Sequence, residues 1–168
     1  MWYDGGAMNR AATFALAGVV IIAGGAYLLY PEEPFVHPLP LIEGDTVASW
    51  DFAGAYTGNE ELVAKAQAEI ARLKKGGDEY TPYIYLVSIA NQYELMGDGA
   101  YVYEYLGRAA ALAPDTGLAW YNLGVLMERL HAYRTALVAY QSAAFVQELT
   151  QYVERFEEFK SQHPELAS

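Results

Sequence analysis

The chain has 168 residues, of which 54% are hydrophobic and 18% charged, a length that allows one modest domain. Its 21 acidic residues exceed its ten Lys and Arg residues, and the net charge of −11 disfavours binding to the phosphates of nucleic acids. Cysteine is absent, which excludes disulfides, zinc fingers, iron–sulfur clusters, attached c-type haem and thiol nucleophiles.

An uncharged segment of 20 residues, 11–30, predicts a transmembrane helix, because 20 residues at 1.5 Å each cross about 30 Å of hydrocarbon. Aromatic residues suited to the headgroup level flank it, with Trp2 and Tyr3 before it and Tyr27 and Tyr30 at its end. A cleaved signal peptide is the alternative, but such peptides have shorter apolar cores that end in small residues.

The charges beside this segment predict its orientation. Arg10 and the amino terminus precede it, whereas Glu32, Glu33, Glu43 and Asp45 follow it. By the positive-inside rule, the short tail 1–10 is expected in the cytoplasm. The remaining acidic part is then expected on the periplasmic or equivalent side of a membrane, such as the bacterial inner membrane.

Small residues predict a packing face along the same helix. The face comprises Ala11, Ala15, Gly18, Ile22 and Gly25. Small side chains let a second helix approach closely, so we expect this face to contact a helix of another subunit. The alternative is that Ala and Gly are simply common in membrane helices.

Residues 31–58 form what we call the strap, an extended segment rich in proline. Its four prolines fall within ten residues, at Pro31, Pro34, Pro38 and Pro40, and favour polyproline II structure. Apolar residues alternate with these prolines, which is unusual for a free spacer in water. The strap is therefore expected to lie on a protein surface.

Helical patterns occupy the chain beyond the strap. Residues 59–75 carry an apolar face, acids in the first turn and lysines in the last, and the region 59–82 is interpreted as a flanking helix and turn. Thr81 followed by Pro82 is typical of a helix start, and that helix is expected to run to Met96. Residues 151–168 predict a polar capping helix and a tail.

The region 83–150 repeats with a period of 34 residues. The first copy has Leu86, Ile89, Ala90, Tyr93, Val102, Leu106, Ala109 and Pro114, and the second has Trp120, Leu123, Gly124, Met127, Ala136, Tyr140, Ala143 and Glu148. This spacing resembles the tetratricopeptide (TPR) family. The resemblance implies an all-α fold, a short TPR-like α-solenoid of two repeats plus flanking helices, after the transmembrane helix. Gly124 and Ala136 are expected at a helix contact, and Glu128 on the outer face.

The TPR resemblance also implies peptide binding in a concave groove lined by the first helix of each repeat. Asn91 and Asn122 match two positions of the subfamily that captures C-terminal carboxylates, but Val87 replaces the first lysine, so carboxylate capture is not supported. A second candidate surface is rich in tyrosine, a residue enriched at interfaces, and centres on Tyr101, Tyr103 and Tyr105. The alternative for both sets is ordinary packing and solvation.

Chemistry-bearing residues are sparse. His37, His131 and His163 lie in the strap, a turn and the tail, and no catalytic, phosphate-binding or metal-ligand motif is present. We therefore expect no enzyme, no cofactor and no metal, with ligation of a pigment or haem by His37 as a remote alternative.

The expected function is non-catalytic. TPR proteins of this size with one membrane helix resemble accessory or scaffold subunits of large photosynthetic or respiratory complexes, which implies other membrane subunits as partners. The alternative is a membrane-anchored adaptor or assembly factor that captures soluble peptides or proteins.

Overall fold

The structure is a computed structural model that describes residues 21–22, 25–26, 35–76 and 79–167. The chain divides after Phe35 into a short N-terminal unit and a larger unit that continues to the C-terminus.

In the N-terminal unit, residues 21–22 and 25–26 form a two-stranded antiparallel ladder. Strand β1 (Ile21–Ile22) pairs with β2 (Gly25–Ala26), with Ile22 opposite Gly25. These four residues differ from the helix predicted over 11–30, and their local preference explains why, since isoleucine is β-branched and glycine is a poor helix former. The remainder of 11–30, including Ala11, Ala15 and Gly18 of the predicted packing face, lies outside the described residues.

No helix within the described ranges has both the length and the apolar character needed to cross a membrane. The membrane helix therefore stays a prediction.

The larger unit is all-α. Its six helices in chain order are α1 (Glu60–Lys74), α2 (Pro82–Met96), α3 (Gly99–Leu112), α4 (Gly117–Arg129), α5 (Tyr133–Val146) and α6 (Thr150–Gln162), followed by a 3-10 turn at Pro164–Ala167. Each helix packs on the next one in the chain. This sequential packing is compatible with an α-solenoid.

Each of the first three helices begins at a residue whose side chain caps it. The side chains of Asn59, Thr81 and Asp98 accept hydrogen bonds from the backbone N–H groups three residues later, in the first turns of α1, α2 and α3. Gly97 ends α2 with φ of +86°, a left-handed conformation that glycine adopts without strain. The residue before α5 is Ala132, which has no side-chain acceptor to offer.

The contact between α4 and α5 depends on small residues, as predicted. Ala136 is fully buried, and a Cβ atom on Gly124 would lie 2.6 Å from the ring of Tyr140. The two helices can therefore approach only because these positions lack larger side chains.

The expectation that Glu128 lies on the outer face is wrong. Its carboxylate accepts a hydrogen bond of 2.6 Å from the Tyr140 hydroxyl and another from the Arg155 guanidinium. Burial acts to raise the pKa of Glu128, but these hydrogen bonds outweigh it and hold the pKa below its usual range. The expectation was wrong because α6 brings Arg155 back over α4 and α5.

Candidate interaction surfaces

His37 attaches the strap to α3. Its imidazole stacks on the Tyr103 ring with centroids 3.6 Å apart, and its Nδ1 accepts a 3.0 Å hydrogen bond from the N–H of Leu39. Nε2 therefore carries the proton and donates to the Tyr103 carbonyl at 2.9 Å. Gly107 makes room for the ring, since a Cβ there would lie 2.1 Å from Nε2. Both ring nitrogens are engaged, which argues against ligation of a pigment or haem.

Burial lowers the pKa of His37, and the hydrogen bond to the Tyr103 carbonyl offsets this only in part.

Two residues after His37, Leu39 enters the core of the helical unit, where it is 2% exposed. The Tyr103 hydroxyl donates a hydrogen bond to the Leu39 carbonyl. This part of the strap is thus held by both apolar packing and hydrogen bonds.

Asp45 supplies the missing cap of α5. Its Oδ1 accepts from the backbone N–H of Arg134 at 3.3 Å, and its Oδ2 accepts from the N–H and the hydroxyl of Thr135, each at 2.7 Å. Thr135 is fully buried, and its hydroxyl oxygen in turn accepts from the N–H of Ile42 at 3.0 Å. The strap therefore satisfies the first turn of a helix about 90 residues further along the chain.

The end of the strap lines the turn between α2 and α3. The Trp50 carbonyl accepts from the N–H of Gly99 at 2.9 Å, and the N–H of Phe52 donates to the Gly97 carbonyl at 3.0 Å. Contact is so close that a Cβ on Gly97 would lie 2.0 Å from the Phe52 carbonyl oxygen. From His37 to Phe52, the strap is therefore part of the domain.

The two asparagines expected in the concave groove differ in exposure. Asn91 is exposed and lines a shallow pocket that Arg72 of α1 also lines, whereas Asn122 on α4 is half-buried. In the part of the chain that the structure describes, neither side chain has a hydrogen-bond partner. Val87, at the position where the carboxylate-binding subfamily has its first lysine, is buried in the core.

The three candidate tyrosines separate into two environments. Tyr103 is engaged by the strap. Tyr101 is 45% exposed and stacks on Tyr93 with centroids 4.5 Å apart, and Tyr93 also stacks on Tyr105 at 5.7 Å. Lys74 of α1 places its Nζ 5.4 Å from the centre of the Tyr105 ring and donates a 3.4 Å hydrogen bond to the Tyr93 hydroxyl. The nearby hydroxyls of Tyr105 and Tyr93 raise the pKa of Lys74, although partial burial opposes them.

Tyr93 and Tyr101 line an open cleft of about 740 Å³ that also reaches Asp51 and Asp98. We call this the tyrosine cleft. The tyrosine cleft offers aromatic contact area, but Lys74, which also lines it, already lies beside the rings of Tyr93 and Tyr105.

A second concave surface, which we call the α5–α6 groove, was not predicted from the sequence. It has a volume of about 660 Å³ and lies between the C-terminal end of α5 and the first turns of α6. Phe145 projects from it with 86% of its surface exposed, and Val153 is 40% exposed. Three carboxylates, Glu148, Glu154 and Glu157, line the same groove. The arrangement can bind a partner that is both apolar and basic.

Two histidines that lie far apart in sequence meet at Tyr133. The Tyr133 hydroxyl lies 2.7 Å from His131 Nδ1, and the His163 ring stacks on the Tyr133 ring with centroids 4.4 Å apart. His163 Nδ1 in turn lies 3.1 Å from a carboxylate oxygen of Glu165. The two histidines approach the same tyrosine because α6 runs back along α5 and returns the tail to the turn that precedes α5.

Among the described residues, no group of three or more His, Asp or Glu side chains is placed to hold a metal ion. No protein-family model, curated protein or solved structure matches this chain.

Proposed function

We propose that the chain is a membrane-anchored protein-interaction subunit, in which a TPR-like helical domain is held beside the bilayer by a helix over 11–30. Its setting is a large photosynthetic or respiratory membrane complex, in which it serves as an accessory or scaffold subunit. The complex class follows from the resemblance to single-helix TPR subunits. The periplasmic placement of the domain follows from the charges beside residues 11–30.

Burial at the repeat positions supports the TPR-like interpretation. The second copy has seven residues at the positions that match the TPR spacing, and six of them are buried while Trp120 is half-buried. The six are Leu123, Gly124, Met127, Ala136, Tyr140 and Ala143. Paired helices of this family need small or apolar residues at these positions, because they touch there.

The observation that favours a fixed subunit over an adaptor is the attachment of the strap to the helical domain. Because the chain is bonded to the domain from His37 onward, at most six residues, 31–36, remain between the domain and the apolar segment. Six extended residues span at most about 20 Å. A chain anchored through 11–30 therefore has little freedom to sample distant partners, which suits a fixed subunit better than a roaming adaptor.

Copurification tests this proposal. The full chain is solubilised from its native membrane in a gentle detergent, and the proteins that stay with it are identified by mass spectrometry. We expect membrane subunits of one large complex in constant ratio. Recovery of the chain by itself would contradict the proposal, and soluble proteins that wash away would favour the adaptor.

A matched variant tests the tether. Insertion of about ten Gly and Ser residues after Pro34 should leave the thermal unfolding of the domain unchanged, because the strap contacts begin later. Retention of the complex should fall, since a longer tether lowers the effective concentration of the domain. Equal retention by both chains would show that the short tether has no role.

A further inference from the structure

We propose that the α5–α6 groove binds an amphipathic helix of a partner protein, with apolar residues over Phe145 and Val153 and with Lys or Arg residues opposite Glu148 and Glu154. The inference deepens the proposed function, on which it rests, by assigning the partner to one surface and one chemistry.

The exposed phenylalanine is the first step. Phe145 is 86% exposed, although the other large apolar side chains of its helix are buried or half-buried. Val153, which lines the same groove, is 40% exposed, and Leu149, the residue before α6, is 43% exposed. Burying one such ring is worth about 1.5–3 kcal/mol. Grouped apolar side chains at the surface are typical of a binding site, whereas single ones are common everywhere.

The 34-residue period indicates why a helix fits the groove. One period before Glu157 lies Leu123, and one period before Glu158 lies Gly124, which accepts α5 closely enough to leave no room for a Cβ. The face of α6 that includes Glu157 and Glu158 therefore corresponds to the face of α4 that packs against the following helix, α5. Near the other end of α6, the tail covers α5 and α6, whereas the α5–α6 groove is open.

Charge identifies the occupant. Glu148, Glu154 and Glu157 are all exposed, and within the described ranges only Glu157 has an ion-pair partner, Lys160 at 3.1 Å. A helix with Lys or Arg at its flanks would pair with the two remaining carboxylates, whereas an acidic one would be repelled. A second copy of this chain carries another net charge of −11 and is therefore disfavoured.

A synthetic peptide provides the probe. It is a helix with leucines at i, i+3, i+4 and i+7 and lysines on both flanks, and its control carries glutamates in place of the lysines. Binding to the purified full chain is measured by fluorescence anisotropy. We expect the lysine peptide to bind, its affinity to fall as salt is raised, and the glutamate peptide not to bind.

Two variants test the site. Phe145→Ser should raise the Kd at least about tenfold, which corresponds to 1.4 kcal/mol, while the melting temperature stays unchanged because the ring is exposed. Glu154→Gln should raise the Kd less. Leu112→Ser is the matched control, because Leu112 is an apolar residue 54% exposed on another helix. Equal affinity of Phe145→Ser and Leu112→Ser would overturn the proposal.

The remaining outcomes are also decisive. Sedimentation that shows a dimer in the parent chain and a monomer in Phe145→Ser would assign the groove to a second copy, and would overturn the partner assignment. Phe145→Ser that keeps every subunit of the copurified complex would refute this inference alone. Absence of any complex with the parent chain would refute the proposed function instead.

Discussion

Replacing Asp45 by alanine is expected to destabilise the helical domain by about 2–4 kcal/mol. The substitution removes a helix cap, which costs about 0.5–2 kcal/mol. It also leaves the fully buried Thr135 hydroxyl without its acceptor, at 2.7 Å in the parent chain, and an unsatisfied buried donor costs about 1–3 kcal/mol. The two contributions sum to about 1.5–5 kcal/mol and overlap at Thr135, so we expect a value in the middle of that range.

Asp45→Asn separates these contributions. The single amide oxygen of asparagine can replace Oδ2 and keep both bonds to Thr135, which leaves the longer bond of 3.3 Å from the N–H of Arg134 unmade. That N–H lies near solvent, so the loss is a weak hydrogen bond and the favourable interaction of a negative charge with the start of α5. We expect a cost of about 1–2 kcal/mol.

Urea unfolding of the full chain, followed by far-ultraviolet circular dichroism, measures these differences. Glu43→Ala is the control, because Glu43 is an exposed acid two residues from Asp45 and its removal changes the net charge equally. We expect Glu43→Ala to stay within about 0.5 kcal/mol of the parent chain. The reasoning is refuted if Asp45→Ala does the same.

Three further predictions concern the core and two titratable groups. Ala136→Leu should cost about 1–3 kcal/mol by overpacking, whereas Ala111→Leu on an exposed helix position should cost little, and equal shifts in thermal melts would contradict this. Because the pKa of His37 is lowered in the folded state, the unfolded state binds the proton more readily, so the free energy of unfolding should fall as the pH drops through about 6.5. Urea unfolding at several pH values should show that His37→Gln loses this part of the dependence, and identical slopes would exclude His37 as its source. The pKa of Glu128 is also lowered, so its contribution is present at neutral pH and should be lost progressively as the pH falls below the ordinary value of 4.5. Glu128→Gln should therefore destabilise the domain at neutral pH and much less in acid, as measured by the same unfolding experiment at both pH values.

Features that depend on neighbouring residues were accessible from the sequence. Thr81 and Pro82 mark the start of α2 because a helix cap and its first turn are adjacent in the chain. Gly124 could be assigned to a helix contact because Ala90, one period earlier, is also small, and Ala136 because its spacing resembles that of TPR repeats, although the first copy has Val102 there. In each case the interacting groups lie within one helical hairpin.

Features that join distant parts of the chain were not accessible. Nothing near Asp45 indicates that it caps a helix about 90 residues away, although Ala132 before α5 does signal a helix that lacks its own cap. His37 could not be assigned because the carbonyl that accepts its hydrogen bond belongs to Tyr103, 66 residues away, and the two meet only when the strap lies on α3. Glu128 looked exposed because Arg155 approaches it only through the fold of α6.

The α5–α6 groove was missed for a different reason. Glu154 and Glu157 are typical of a solvated helix face, and this interpretation remains correct for each of them taken separately. The signal in the sequence was Phe145, because one period earlier the same position is Ala111, which needs no cover. A large apolar residue beside a run of acids indicates a surface only when the two helices that carry them are known to pack together.

The strap and the groove lie at opposite ends of α5, which makes their roles separable. Asp45 holds α5 at Thr135, and Phe145 lies ten residues later, about 15 Å along the helix axis. At that separation, with no shared contacts, the effects of two substitutions are expected to add within about 0.5 kcal/mol. A strap variant should therefore lower the stability of the domain while each folded molecule still binds the lysine peptide with unchanged affinity, and Phe145→Ser should do the reverse. If Asp45→Asn instead weakened peptide binding in fully folded protein, α5 would have to transmit the change along its length, and the groove could no longer be treated as a site independent of the anchor.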